Sequence, residues 1–298
     1  MSDRNAYFDG VPLDAAHRGR GPYVWRFGVF QRALHGVLVV AFFVLAFTGL
    51  PLRFSCVVWA PKLMALWGGA RTAGLVHRWA GGVVLACLAT YLGYAAVRLA
   101  RAADRRRLLW GPDSILLQRR DFREFWQMLR WSVGKGPKPR FGRYSYREKF
   151  NVLMVFLGLG VIAATGLLLW FPEFFGRFLP GVVFNVATIV HSYQVMLLAA
   201  LIVAYHFYDV HLRATKFPMD GVMFTGRATY GYMEEEHPLV AEAIAGAVTG
   251  QPPSARAIPD RVAPPAPRWL EVTSTALGLL FLALGVLLVV LGLWDALC

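Results

Sequence analysis

Four histidines lie inside apolar stretches of this sequence, namely His35, His77, His191 and His206. An imidazole at membrane depth is costly enough to indicate a functional site, and each nitrogen of a neutral ring needs a partner. A hydrogen bond between helices would account for any single one of them. The four together raise a second interpretation, in which the imidazoles are ligands of bound metal.

The composition indicates what must position these histidines. Of the 298 residues, 57% are hydrophobic and only 16% are charged, which is too apolar for a soluble domain. Five runs are long enough to cross a membrane as helices, which takes roughly 20 residues each. These predicted spans are Ala33–Leu52, Leu75–Val97, Asn151–Phe171, Gly181–Tyr208 and Leu270–Leu297. The expected fold is all-α and integral to a membrane: a four-helix transmembrane bundle over residues 33–208 plus a fifth C-terminal transmembrane helix.

The loops predict the orientation of the chain. The loop 98–150 carries fifteen Lys or Arg against five acids, whereas the loop between the third and fourth spans carries one basic residue. By the positive-inside rule the loop 98–150 is cytoplasmic. We therefore expect a multi-pass protein of the bacterial inner membrane, with residues 1–32 cytoplasmic and the C-terminus periplasmic.

This orientation sorts the histidines by depth. His77 and His191 lie in the outer halves of their spans, and His35 and His206 lie near the cytoplasmic ends. Fifteen residues of α-helix place His206 within about 60° of His191 and about 22 Å along the axis. Two levels with two imidazoles each are what two bis-histidine b haems require, and such iron has no open position for oxygen or substrate.

The other histidines are interpreted differently. On an α-helix His211 lies about 200° from His191, so we expect an interfacial residue, with a quinone or proton role as the alternative. His17 and His237 lie outside the spans, and we expect both to be solvated. The three cysteines form no CxxC or CxxCH motif, which excludes zinc, iron–sulfur and c-type haem sites built on them.

The segments between spans suggest contacts with lipid. Asp121–Trp131 has the apolar spacing of a short interfacial helix, and the basic loop around it favours anionic lipid headgroups. Residues 209–247 are expected to form an amphipathic cytoplasmic segment, and the proline-rich residues 248–269 a linker that tethers a peripheral fifth helix over 270–297. Gly278, Gly285 and Gly292 mark one stripe of that helix, as a close helix contact or as the ordinary glycine content of membrane helices. No motif indicates nucleic-acid binding.

Several motifs together resemble a known family. They are "RFGVFQRALHGVLVVAFFVLAFTGLPL", "GLVHRWAGGVVL", "REKFNVLMVFLGLGVIAATGLLLWFP", "VHSYQVMLLAALIVAYHF" and "EEEHPLVAEA", which span residues 26–245. Their order and spacing resemble the di-haem cytochrome b subunit of the formate dehydrogenase gamma type. That family also includes cytochrome b subunits of nickel–iron hydrogenases and thiosulfate reductases.

The resemblance implies a role in a respiratory chain. It implies that His77 and His191 hold the iron of an outer haem b, and that His35 and His206 hold the iron of an inner haem b. It also implies a quinone beside the inner haem, at Asn151, for which a helix cap is the alternative. The chain would be the electron-transfer subunit of an oxidoreductase complex, without a substrate active site. It would connect the quinone pool, menaquinone or ubiquinone, to a periplasmic iron–sulfur protein or multihaem cytochrome c.

Two other functions were weighed. One is a haem-free membrane anchor or assembly subunit, whose histidines only bond across helices. The other is a zinc or copper transporter, which should have carboxylates or thiols along its path. Spans one to four contain no Asp or Glu and only Cys87 as a thiol, which disfavours the transporter.

Overall fold

The computed structural model describes residues 7–8, 11–12, 23–213, 216–248 and 262–297. The helices are α1 (Val29–Arg53), α2 (Trp59–Leu66), α3 (Ala70–Arg101), α4 (Arg105–Trp110), α5 (Arg119–Ser132), α6 (Tyr146–Trp170), α7 (Pro172–Phe175), α8 (Gly181–Leu201), α9 (Val222–Thr225), α10 (Tyr230–Glu236), α11 (Pro238–Val248) and α12 (Arg268–Leu297). A π-helical segment, Ile202–Leu212, continues α8. The strands are β1 (Tyr7–Phe8), β2 (Val11–Pro12), β3 (Tyr23–Trp25), β4 (Arg227–Thr229) and β5 (Val262–Ala263).

Within these residues, five helices are long and apolar enough to cross a membrane: α1, α3, α6, α8 with its π-helical continuation, and α12. Only 11% to 28% of the most apolar window of each helix is buried inside the protein. The apolar side chains that remain exposed are compatible with lipid and not with water. The predicted all-α integral membrane fold is confirmed.

The chain divides into two compact units, and neither is continuous in sequence. Unit 1 combines residues 1–32, 96–153 and 221–271. In it, β3 pairs antiparallel with both β4 and β5, which come from the far end of the chain. A hydrophobic cluster that includes Val24, Tyr230 and Met233 fills its interior. Strand β3, which precedes the first span, and strands β4 and β5, which follow the fourth, therefore belong to one body through strand pairing.

Unit 2 combines residues 33–95, 154–220 and 272–298 and contains most of the long apolar helices. Its core includes Phe43, Phe207 and Leu288, which come from α1, the π-helical segment and α12. The rings of Phe43 and Phe281 are stacked with centroids 5.4 Å apart, which joins α1 to α12.

The fifth helix packs more closely than its sequence context suggested. A Cβ atom added to Gly278 would collide with Met219, and one added to Gly285 would collide with the Phe207 ring. At Gly292 an added Cβ would make ordinary contact with Met196. Of the two interpretations of the glycine stripe, the close helix contact therefore applies, and the fifth helix lies against α1, α8 and the π-helical segment. Residues 249–261, most of the predicted linker, lie outside the described residues.

Candidate functional site

His77 and His191 face each other in unit 2. His77 lies on α3, His191 lies on α8, and their ring centroids are 6.4 Å apart at an interplanar angle of 75°. Both rings are half-buried. Two helices that are far apart in sequence therefore bring one imidazole each to a common point.

His35 and His206 form a second pair in the same unit. His35 lies on α1 and His206 on the π-helical segment, and their ring centroids are also 6.4 Å apart, at 58°. The two combinations found in space, 77 with 191 and 35 with 206, are the two that the sequence predicted.

The spacing within each pair fits one metal ion between two imidazoles. Two metal–nitrogen bonds of about 2.0 to 2.1 Å, each extended by roughly 1.1 Å from nitrogen to ring centre, put the centroids about 6.3 Å apart. A direct nitrogen-to-nitrogen hydrogen bond, at about 2.9 Å, would draw the rings closer. The observed 6.4 Å in both pairs matches the first geometry.

The donor set then selects the kind of metal site. Among the residues that the structure describes, no group of three or more His, Cys, Asp or Glu side chains is placed to hold a metal ion. A protein zinc site normally uses three or four such ligands, whereas haem iron needs only two axial ones because the macrocycle supplies the rest. Two imidazoles and no further ligand therefore fit haem iron and do not fit bare zinc.

Threonines that the sequence analysis did not single out hold the rings of the first pair. The Thr48 hydroxyl lies 3.0 Å from Nδ1 of His77, and the Thr165 hydroxyl lies 3.0 Å from Nδ1 of His191. The Ile162 carbonyl lies 3.2 Å from the same nitrogen of His191. Each imidazole thus has a neighbouring helix bonded to one nitrogen, and its other nitrogen remains for a ligand.

Glycines follow both threonines and contact the same rings. A Cβ at Gly49 would lie 2.9 Å from Cε1 of His77, and a Cβ at Gly166 would lie 3.2 Å from Cε1 of His191. Both distances are tighter than side chains normally allow, so only glycine leaves the rings where they are. The repeated sequence "TGL", in "FTGL" and "ATGL", was the signal that could have identified these residues.

The second pair lies beside charged groups. Arg213 and Asp209 form an ion pair at 3.0 Å, and Lys216 and Asp220 form another at 3.0 Å. Asp209 lies three residues after His206 in the π-helical segment, and Lys216 lies 3.7 Å from Asp209. The two pairs share a ligand geometry but have different surroundings.

His211 is placed differently from the sequence expectation. It is buried, with 5% of its surface exposed, and its ring packs on Phe207 with centroids 5.5 Å apart. The expectation of an interfacial residue on the far side assumed α-helical rotation. Residues 202–212 form a π-helix, in which hydrogen bonds run from residue i to residue i+5. His211 therefore lies about one helical turn after His206.

Asn151 is not a helix cap. Helix α6 begins at Tyr146, five residues earlier, so Asn151 lies in its second turn and is half-buried. Ser145 and Glu148 provide the cap: the Ser145 backbone nitrogen donates to Glu148 at 2.7 Å, and the Glu148 nitrogen donates to the Ser145 hydroxyl at 3.4 Å. This reciprocal arrangement is a capping box.

His237 is buried in unit 1, and the expectation of a solvated residue was wrong. Its Nδ1 donates to the Gly142 carbonyl at 2.7 Å, and its Nε2 accepts from Arg26 at 3.1 Å. Arg26 also donates to Glu148 at 2.8 Å. Burial, assisted by the Arg26 charge, lowers the pKa of His237 to about 4. A neutral ring therefore links three separate segments of unit 1. His17 lies outside the described residues.

Comparison with known proteins identifies a family. A family model described as prokaryotic cytochrome b561 matches residues 26–214, a range that is more than half of the chain and contains all four paired histidines. No curated protein matches the chain significantly. The chain therefore belongs to the prokaryotic cytochrome b561 family, membrane cytochromes that bind haem b and transfer electrons.

Proposed function

We propose that this protein carries electrons across the membrane through two b haems, one held by His77 and His191 and the other by His35 and His206. The observation that carries the proposal is the 6.4 Å centroid separation in both histidine pairs. The spacing supports one iron between the rings of each pair. The donor set supports haem over a bare metal ion.

The protein's own residues limit the chemistry of these sites. Haem b supplies one-electron oxidation and reduction when it is bound. With two histidines holding each iron, the haems would have no position free for oxygen or substrate, so the chain would conduct electrons without catalysing a substrate reaction. His191 and His206 lie on one continuous helix, fifteen residues and at most about 22 Å apart along its axis.

The orientation proposed from charge makes this a path between the two sides of an inner membrane. With the basic loop 98–150 cytoplasmic, the His35–His206 pair lies toward the cytoplasm and the His77–His191 pair toward the periplasm. The N-terminus is then cytoplasmic and the C-terminus periplasmic. Each electron that crosses the full potential exchanges about 2.3 kcal/mol per 100 mV with it.

We propose that a quinone, menaquinone or ubiquinone, exchanges electrons at the cytoplasmic side. His211 supports this site because it is buried one π-helical turn from His206. Interruptions of α-helical geometry by π-turns occur frequently at functional sites. By the family resemblance, Asn151 in the second turn of α6 is the second candidate for a quinone contact.

The finer family assignment is also proposed. The motif order resembles the formate dehydrogenase gamma type, whose members deliver electrons to or from a periplasmic partner. An iron–sulfur protein or a multihaem cytochrome c would fill this position and exchange electrons at the His77–His191 haem. A haem-free anchor remains the alternative function, and a count of bound haem separates the two.

We propose lipid as the partner of helix α5. Its acidic face points inward: Asp121 is 2% exposed and pairs with the buried Lys149 at 2.9 Å. Its opposite stripe, Phe122, Trp126 and Leu129, is exposed. A helix that buries Asp121 and exposes its aromatics suits a membrane interface, and its exposed Arg123 and Arg130 suit anionic headgroups.

The direct test is a redox titration of the purified full chain in detergent. We expect a reduced-minus-oxidised difference spectrum of b type, with about two haems per chain, and reduction of both by a quinol analogue. The control is the variant His77→Ala with His206→Ala, which should bind no haem. A wild-type protein without a b-type spectrum would show that the chain is a haem-free anchor.

A further inference from the structure

Two short sequence patterns occur twice in the chain, and both lie at the His77–His191 pair. "VLAFTGL" (44–50) on α1 recurs as "VIAATGL" (161–167) on α6. "AGLVH" (73–77) on α3 recurs as "ATIVH" (187–191) on α8. The pair is therefore built from two copies of one arrangement, a Thr-Gly on one helix and a histidine on the next long helix.

The hydrogen bonds are duplicated as well. The Thr48 hydroxyl donates to the Val44 carbonyl at 2.7 Å, and the Thr165 hydroxyl donates to the Val161 carbonyl at 2.8 Å. Each hydroxyl has only one hydrogen, so its remaining capacity toward the histidine is to accept. A hydrogen bond at 3.0 Å to each histidine then requires the hydrogen to be on Nδ1.

A backbone carbonyl agrees with this assignment at His191. The Ile162 carbonyl, three residues before Thr165, lies 3.2 Å from Nδ1 of His191. A carbonyl can only accept, so the donor is again Nδ1–H, and in a neutral ring the lone pair is then on Nε2.

We propose that Thr48 and Thr165 are positioning residues that hold His77 and His191 in the Nδ1–H tautomer, with both Nε2 atoms presented to the shared iron. The proposal rests on the proposed haem function. Acceptors at the second ring nitrogen orient a metal-binding histidine and increase its basicity. A more basic ligand favours oxidised iron, so both threonines lower the reduction potential of this haem alone.

The chain offers matched controls. Thr90 and Thr188 also lie in membrane helices and donate to the carbonyl four residues earlier, Ala86 at 2.7 Å and Phe184 at 2.9 Å. Such back-bonding is common for threonine in helices and by itself implies no function. No bond from either hydroxyl to a histidine is seen, so they isolate the effect of the hydroxyl–imidazole bond.

The experiment measures both haem potentials of the purified full chain by optical titration, with electron paramagnetic resonance of the oxidised iron as a second readout. The variants are Thr48→Val and Thr165→Val, with Thr48→Ser, Thr165→Ser, Thr90→Val and Thr188→Val for comparison. We expect Thr48→Val and Thr165→Val each to raise the reduction potential of the same haem, the one at His77–His191. The expected change is up to tenfold in the reduction equilibrium, or about 59 mV for one electron. The serine and control variants should match the wild type.

Other results have distinct meanings. Loss of that same haem in the valine variants, with retention in the serine variants, also supports the positioning role. Two normal haems with unchanged potentials in both valine variants would overturn it, and so would equal shifts in Thr90→Val or Thr188→Val. If the proposed haem function were wrong, the wild-type protein would lack two b haems before any threonine variant was compared.

Discussion

The His77–His191 pair and the His35–His206 pair have equal ring separations, yet their surroundings differ. Around the first pair are the neutral hydroxyls of Thr48 and Thr165, each fixed by its own helix. Beside the second pair are the ionic side chains of Asp209 and Lys216, and the π-helical segment of His206 also carries His211. Under the proposed function, equal ligand geometry would give both haems the same kind of chemistry. The surroundings would then decide which of them responds to charge and protons.

This difference would suit the two tasks of the proposed transmembrane electron path. A haem that serves a protein partner needs only a stable potential, which rigid neutral hydrogen bonds supply. A haem beside a quinone must work where protons are exchanged with each electron pair, so ionisable neighbours are useful there. The four predictions that follow separate these environments, from the largest expected effect to the smallest.

The largest effect should come from His206→Ala. Removal of an axial ligand should abolish the haem at the His35–His206 pair, so the haem content falls from about two to about one per chain. His211→Ala is the matched control, because His211 is one π-turn away and should leave both haems bound. Haem extraction and absorption spectra measure this. If His211→Ala lost a haem and His206→Ala did not, the assignment of the ligand would be wrong.

The next effect should follow from Gly49→Ala. The new Cβ would lie 2.9 Å from Cε1 of His77 and displace the ring, whereas Gly93→Ala on α3 meets nothing within 4 Å. We expect haem binding at the His77–His191 pair to weaken on the order of tenfold, and the other pair to keep its haem. A redox titration measures this, because the amount of haem that titrates at each of the two reduction potentials reports how fully each pair is occupied. Equal losses at both pairs would mean that the substitution acts on overall packing.

A smaller effect should come from Lys216→Gln. The loss of this cation removes one positive partner of Asp209, which lies three residues after His206 in the same helical segment. The added negative potential favours oxidised iron, and we expect the reduction potential of that haem to fall by roughly 59 mV or less. The haem at His77–His191 should not change. An equal fall at both haems would contradict the proposed division between a charged and a neutral site.

The last variant, His237→Gln, should leave haem binding at both histidine pairs unchanged and alter only the stability of the protein. Because the folded pKa is lowered to about 4, the neutral ring contributes its stability above the ordinary pKa of about 6.5. That contribution is lost as the pH falls from about 6.5 toward 4. The variant should flatten the acid dependence of the unfolding temperature over this window. An unchanged pH profile would mean that His237 is not the group that titrates.

The sequence was sufficient for the parts of the site that depend on local pattern. Runs of apolar residues located the helices, and loop charge assigned relative depths to His35, His77, His191 and His206. Those depths gave the same two pairs that the structure brings together. The N-terminal cap of α6 can also be predicted from the sequence, because Ser145 and Glu148 have the spacing of a capping box.

What the sequence missed depends on contacts between distant segments or on helix geometry. His237 is a polar residue outside the spans, and only its non-local partners Arg26 and Gly142 explain its burial. The position of His211 required knowledge that α8 becomes a π-helix. Thr48 and Thr165 resembled ordinary helix threonines, because their partners lie 29 and 26 residues away.

The most direct test of two bis-histidine haems is electron paramagnetic resonance of the oxidised, purified full chain, combined with a haem count. The account predicts about two haems per chain, both low-spin, with two distinct signals because the interplanar angles of the pairs differ, 75° and 58°. The Thr48→Val variant should alter one signal only. A single haem, a high-spin signal from an open axial position, or no haem would contradict it.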